Sequence, residues 1–170
     1  MKIVLIGYMA SGKSAIGIEL ANTMQLPLID LDSYIEAKEK MTISKIFEDK
    51  GEIYFRVKET TYLKQLLEET TNAIISVGGG TPCYGTNMNI IIEKSTPVYL
   101  KTGIKTLHDR LIKEKAHRPL VASIKDEDLM EFIGKHLFER TPFYEKSKAK
   151  VITDSKSIKE IVAEIQKLLS

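Results

Sequence analysis

The chain has 170 residues, of which 43% are apolar and 28% charged, and its formal net charge is +2. That length suits one domain with a full core. No apolar run approaches the roughly 18 residues of a membrane span, no basic tract with interleaved aromatics marks a nucleic-acid surface, and the lone Cys83 excludes an internal disulfide and fits a reducing cytoplasm.

Lys2–Ile6 is a short apolar, β-branched run and predicts a buried strand. It is too short for a signal peptide. It leads into Gly7-Tyr-Met-Ala-Ser-Gly12-Lys13-Ser14, which fits G-x-x-x-x-G-K-[ST], the phosphate-binding P-loop. Ile16, Leu20 and Met24 then recur at helical spacing. Strand, glycine loop and helix are the context the motif requires. Gly7 and Gly12 are expected to take backbone angles that a Cβ would forbid, so that loop N–H groups converge on phosphate oxygens. The helix adds its positive end to the same spot. Lys13 places a charge on the outer phosphates, and the Ser14 hydroxyl is placed to ligate Mg²⁺.

Leu26–Asp32 predicts a second buried strand ending in two acids. In an extended segment Asp30 and Asp32 share a face. One then holds Mg²⁺ through water while the other reaches a substrate hydroxyl; equally, both serve only to cap the next helix, Ser33 to Lys38. Residues 42–50 and 51–69 read as helices broken at Gly51. Arg56, beside Tyr54 and Phe55, either pins a carboxylate or forms a surface pair with Glu52 or Glu59.

Ala73–Val77 predicts a third strand running into Gly78-Gly79-Gly80, which permits close backbone approach to a ligand. Cys83 has no His or second Cys beside it and reads as a packed small residue. Met88–Lys94 predicts a helix, Pro97–Leu100 a fourth strand, and Thr106–Lys115 a helix. Residues 113–119 are polar, basic and broken by Pro119, the composition of a mobile loop rather than a core element. Residues 126–146 form a long helix with Leu129, Phe132, Ile133, His136 and Leu137 inward, His136 being a satisfied boundary histidine. Lys150–Thr153 is a fifth strand. The last helix opens with the capping box Ser157-x-x-Glu160 and carries Ile158, Ile161, Val162, Ile165, Leu168 and Leu169 on one face. Of the 25 basic residues only Arg56, Arg110, Arg118 and Arg140 are arginines. A chain that uses lysine for its general surface keeps arginine where a planar fork is needed.

Together these motifs resemble the shikimate kinase family across essentially the whole chain. The P-loop, Asp30-Leu-Asp32, Gly51-Glu-x-x-Phe55-Arg56, the triple glycine, Arg118-Pro119-Leu120 and Glu139-Arg140 stand in the family's order, and all four arginines match family positions. The resemblance implies an α/β fold of the P-loop NTPase type: a three-layer sandwich with a five-stranded parallel sheet, in one domain spanning 1–170. Substrate-binding helices at about 31–60 and a mobile lid at about 112–124 complete it. It implies transfer of the ATP γ-phosphoryl group to the 3-hydroxyl of shikimate in aromatic amino acid (chorismate) biosynthesis, with one Mg²⁺ per subunit, in a cytoplasmic monomer that binds neither nucleic acid nor membrane.

By match of position, ATP lies along Ala10, Ser11, Gly12, Lys13, Ser14 and Ala15, with Arg110 flanking the adenine and Arg118 of the lid meeting the transferring phosphate. Ser14 ligates Mg²⁺ and Asp30 holds it through water. Asp32 binds the shikimate hydroxyls as candidate base, and Lys13, Asp32 and Arg118 are the catalytic set. Arg56 and Arg140 clamp the carboxylate, with Gly78, Gly79 and Gly80 against the ring. Adenine also draws on the tail near Asp154–Ser157. The chain departs from the family in Leu31 between the acids, where Ser or Thr is usual, in Ala10-Ser11-Gly12 where Gly-x-Gly is commoner, and in Ala15 for a common Thr.

The alternative reading is another small-metabolite or nucleotide P-loop kinase, such as a gluconate or nucleoside monophosphate kinase, which the Arg56, triple-glycine and Arg140 set disfavours. A guanine-nucleotide switch would carry an Asn/Thr-Lys-x-Asp motif, and Ile124-Lys125-Asp126 is no match. Intact Lys13, Ser14, Asp30 and Asp32 argue against an inactive scaffold.

Overall fold

The computed structural model describes residues 1–170. Its strands are β1 (Lys2–Ile6), β2 (Leu28–Asp30), β3 (Ala73–Ser76), β4 (Thr96–Lys101) and β5 (Ala149–Ile152). They form one parallel sheet in the order β2-β3-β1-β4-β5. Parallel sheets are covered on both faces, so the central strand is apolar and buried from Ile3 to Ile6. Side chains alternate between faces. Ile3 and Leu5 of β1 enter one core with Ile16, Leu20, Ile161 and Ile165, while Val4 and Ile6 enter a larger one on the opposite face.

The smaller core is roofed by α1 (Lys13–Met24) and α8 (Ile158–Leu169). The larger is roofed by α2 (Leu31–Glu39), α3 (Ile43–Glu69), α4 (Asn87–Lys94), α5 (Ile104–Glu114), the single turn α6 (Pro119–Ala122) and α7 (Asp126–Tyr144). Gly51 interrupts α3 at φ 87°, ψ 169°, the break its sequence predicts. The capping box of α8 is formed: the Ser157 side chain accepts from Glu160 N–H, and the Glu160 carboxylate accepts from Ser157 N–H.

Register positions the site. Leu5 pairs with Ser76, and Asp30 pairs with Ser76 from the other side. Three neighbouring strands therefore end level, and the P-loop, the acid pair and the triple glycine emerge side by side, where ligands bind in open α/β sheets.

Four expectations need correction. β2 is an edge strand and not a buried one, with Leu28 36% exposed. The extended chain stops at Asp30, so Asp32 lies in the first turn of α2 and does not alternate along a strand. The segment at 113–119 is not an open loop but helical turns, Lys115–His117 and the start of α6, though none of its residues is buried. In α8 only Ile161, Val162 and Ile165 are buried, and Ile158 and Leu168, in its first and last turns, are exposed.

Candidate active site

A cleft of about 640 Å³ opens at the ends of β1, β2 and β3. It is lined by the P-loop, Asp30, Asp32, Gly78, Gly79, Arg110 and Arg118. That volume suits a nucleotide-sized ligand.

The P-loop earns its glycines in two ways. Gly12 has φ 94°, a left-handed value that only glycine adopts freely. Gly7 is not left-handed, contrary to expectation. Its constraint is space, since a Cβ there would meet Ser11 Oγ at 2.6 Å and the Leu100 carbonyl at 3.0 Å. Ala10 has φ 63°, so the family's glycine preference there has a physical cause, and the alanine costs about 1 kcal/mol of backbone strain. Gly12 gives α1 no side-chain cap. The first N–H groups of the helix thus stay available to an anion.

Lys13 Nζ donates to the Gly7 carbonyl at 2.7 Å and the Tyr8 carbonyl at 3.0 Å. Burial, then the charges of Arg118 and Arg140, lower its pKa to about 8. Arg110 Nη1 donates to the Ala10 carbonyl at 2.8 Å, which ties α5 to the loop. Arg118 Nε donates to Glu114 Oε2 at 2.8 Å, one turn back. Glu114 also lines the cleft, and the sequence reading did not include it.

Asp30 and Asp32 part company. Asp30 is the N-cap of α2, its Oδ2 accepting from Ser33 N–H at 2.9 Å and Ser33 Oγ–H at 3.0 Å. Capping is therefore one real role of the pair, but only for Asp30. Asp32 is left facing the cleft. Burial first, then the neighbouring Asp30 and Glu59 carboxylates, raise its pKa to about 6. Leu31 between them is fully buried, which explains an apolar residue there.

The triple glycine is explained by arginines. A Cβ on Gly79 would lie 3.0 Å from Arg140 Nη1 and 3.3 Å from the Gly7 carbonyl, and one on Gly80 would lie 3.0 Å from Arg56 Nη2 and 3.2 Å from Arg140 Nη2. Arg56 from α3 and Arg140 from α7 thus converge on one backbone turn. Their planar forks present paired donors there, the geometry that recognises a carboxylate.

The ion-pair reading of Arg56 holds in part. It does pair with Glu59, Nη1 to Oε1 at 2.9 Å, but Glu59 is 1% exposed, so this is no surface pair. Glu59 Oε2 accepts from Thr81 Oγ1 at 2.8 Å, and Asn87 Nδ2 donates to the Thr81 carbonyl at 2.9 Å. The Tyr84 ring stacks 3.8 Å from the Arg56 guanidinium carbon. Glu59, Thr81, Tyr84 and Asn87 were missed as site residues. The only signal was Glu59 three residues after Arg56, on the same helical face.

His136 is satisfied by Tyr8, as its boundary position predicts. The Cys83 thiol is pushed up to about 11 by burial, so it is no nucleophile at neutral pH.

At the far end of the cleft, Thr153, Lys156 and Ile158 join Arg110. There the ends of β4 and β5 are tied by Thr102 Oγ1 and Thr153 Oγ1 at 2.6 Å, while the Asp154 carboxylate accepts from Gly103 N–H and Thr106 Oγ1–H. The tail near 154–157 therefore borders the site. Asp154 itself braces the loop after β4.

The shikimate kinase family model matches residues 9–170. A shikimate kinase of Flavobacterium johnsoniae is 44% identical over 171 residues, covering 99% of each chain. The 1.7 Å crystal structure of shikimate kinase from Bacteroides thetaiotaomicron superposes with a TM-score of 0.91 at 35% identity, covering 99% of this chain and 98% of that one. Shikimate kinase from Acinetobacter baumannii, solved in complex with shikimate, gives a TM-score of 0.87 at 28% identity, with 99% and 92% coverage. With a full-length match in sequence and in fold, this chain belongs to the shikimate kinase family.

Proposed function

We propose that this cleft phosphorylates the 3-hydroxyl of shikimate from ATP. The observation that carries the reading is the convergence of Arg56 and Arg140 on Gly79 and Gly80, beside Asp32 and the P-loop. Arginine forks grip any carboxylate or phosphate, so the choice of shikimate over gluconate or a nucleotide is supported by the full-length match to shikimate kinases.

ATP lies with its phosphates on the N–H groups of Ala10 to Ala15, held by the positive end of α1 and by Lys13. Arg110 flanks the base. Shikimate lies on Gly78–Gly80 with its carboxylate between Arg56 and Arg140, which turns its hydroxyls toward Asp32. Asp32 takes the proton of the 3-hydroxyl as that oxygen bonds to the γ-phosphorus. The bond from the γ-phosphorus to the β,γ-bridging oxygen breaks, and ADP leaves with the electron pair. Lys13 and Arg118 balance the charge in transit, and positioning supplies most of the acceleration.

Ser14 and Asp30 fit one Mg²⁺. Both line the cleft, and both hydrogen bonds to Asp30 fall on Oδ2, so Oδ1 faces no helix-capping partner. Mg²⁺ takes only one or two protein ligands beside waters and phosphate oxygens. When bound it would neutralise phosphate charge.

The chain works as one domain, with acceptor helices at about 31–60 and a lid at about 112–124 that closes over ATP. No helix is long and apolar enough to cross a membrane. We assign it as a cytoplasmic monomer without a nucleic-acid partner. The test is a coupled assay of ADP release, with and without shikimate. Release that depends on shikimate, and not on gluconate or a nucleoside monophosphate, supports the reading; release indifferent to shikimate overturns it.

A further inference from the structure

Tyr8 is a large P-loop side chain that is 1% exposed, and the phosphate chemistry of the loop makes no use of its ring. Three contacts give it a place. Its hydroxyl lies 2.9 Å from His136 Nδ1, with the two rings edge to face at 5.3 Å. Its ring lies 5.7 Å from the guanidinium carbon of Arg140, within cation–π range. Its carbonyl accepts from Lys13 Nζ and from Ser11 N–H.

Burial raises the Tyr8 phenol to about 12, and burial with the Arg140 charge lowers the His136 pKa. Both groups are therefore neutral, and a single proton is shared between the phenol oxygen and Nδ1.

The partner residues share one face of α7. His136, Arg140 and Tyr144 follow at intervals of four, so they stack along the helix. Tyr144 O–H donates to the Gly79 carbonyl at 2.5 Å. Arg140 thus sits between two anchors, one to the P-loop and one to the glycine turn. It needs them, because Pro142 lies inside α7 and has no N–H to donate to the preceding turn. The helix is least self-supporting where the arginine projects.

We propose that Tyr8 and His136 are a positioning pair: their hydroxyl–imidazole bond sets the turn of α7 that carries Arg140 against the P-loop. Neither residue touches the acceptor; both act through Arg140. The proposal rests on the carboxylate-clamp role of Arg140 and deepens it.

The test is steady-state kinetics on Tyr8→Phe, His136→Leu, His136→Asn, the Tyr8→Phe/His136→Leu double variant and Arg140→Lys, varying shikimate and ATP separately. Losing a buried hydrogen bond that orients a ligand-gripping group should raise the shikimate KM by about three- to tenfold. The KM for ATP and kcat should stay within about twofold, since ground-state binding alone is weakened. The double variant should be no worse than the worse single variant, because one bond is broken in each. His136→Asn should recover most of the loss, its side-chain amide standing where Nδ1 stood and able to donate or accept. Tyr8→Phe with an unchanged shikimate KM, while Arg140→Lys raises it, overturns the positioning role and leaves the clamp intact. Multiplying effects in the double variant, or kcat falling as much as KM rises, also overturn it. An unchanged shikimate KM in Arg140→Lys removes the clamp itself, and with it this proposal.

Discussion

Glu59 grips Arg56 from one carboxylate oxygen, 2.9 Å to Nη1, while its other oxygen accepts from Thr81 Oγ1 at 2.8 Å. One buried acid therefore joins α3 to the turn that follows the triple glycine, and it fixes the fork of Arg56 before any ligand arrives. Glu59→Gln should keep the bond to Thr81 and lose the charge. Removing one partner of a buried ion pair costs about 3 kcal/mol of stability. The shikimate KM should rise about tenfold with the loss of a preset fork. Thermal unfolding and steady-state kinetics check the two effects, and an unchanged shikimate KM would show that Arg56 needs no presetting.

The arginines should divide by when they act. Arg56 and Arg140 grip a carboxylate that is present before and after transfer, so Arg56→Lys and Arg140→Lys should raise the shikimate KM more than they lower kcat. Lysine keeps the charge without the fork. Arg118 meets charge that develops in transit, and such arginines are worth roughly 10³–10⁵ in kcat. Arg118→Ala should fall in that range, and Arg118→Lys should recover part of it. If Arg118→Ala raised only the shikimate KM, the lid role would be wrong.

Asp32 carries a pH signature. Its pKa is raised from 3.8 to about 6 by burial and the nearby Asp30 and Glu59 carboxylates. As a base it must be ionised, so kcat/KM for shikimate should fall below about pH 6. Asp32→Asn should lower kcat by about 10²–10⁴ and abolish that limb, with the KM for ATP nearly unchanged. Stability should move the other way. A raised carboxyl pKa means that the folded state holds the proton more tightly than the unfolded chain, so ionising Asp32 costs stability. The cost is absent well below the unfolded value of 3.8 and complete above about pH 6. Asp32→Asn should therefore raise Tm at pH 8 and leave it unchanged near pH 3. Collapse of ATP affinity with shikimate affinity intact would exchange the roles of Asp30 and Asp32.

Lys13 should report nucleotide binding by taking up a proton. Its pKa is lowered to about 8 by burial and by Arg118 and Arg140, so part of the population is neutral at pH 8.5. Polyphosphate beside Nζ favours the ammonium form. Calorimetry of ATP binding at pH 8.5 in buffers of different ionisation enthalpy should show proton uptake. Uptake should vanish in a folded Lys13→Ala protein, whose turnover should also be lost. Normal turnover in that variant would remove the P-loop assignment.

What the sequence determined on its own is whatever local backbone chemistry dictates. A β-branched run, a glycine loop and an amphipathic helix define the P-loop because each part is specified within a few residues of the next. The break at Gly51 and the capping box at Ser157 are local for the same reason. The order of the motifs carried the family, and all four arginines it singled out stand at the cleft or the glycine turn.

Tertiary structure decided what local rules left open. Asp30 and Asp32 look equivalent in an extended segment, and only the start of α2 at Leu31 makes one a cap and turns the other to the cleft. Gly79 and Gly80 are glycines because guanidinium groups from α3 and α7 come within about 3 Å of where a Cβ would stand, not because of their own backbone angles. Glu59 is legible as a helix-face partner of Arg56, but its burial comes from packing against the turn at Thr81. Tyr8 and His136 stand 128 residues apart and share no motif. Contacts of that separation arise from the ordering of strands in the sheet, and no local pattern encodes them.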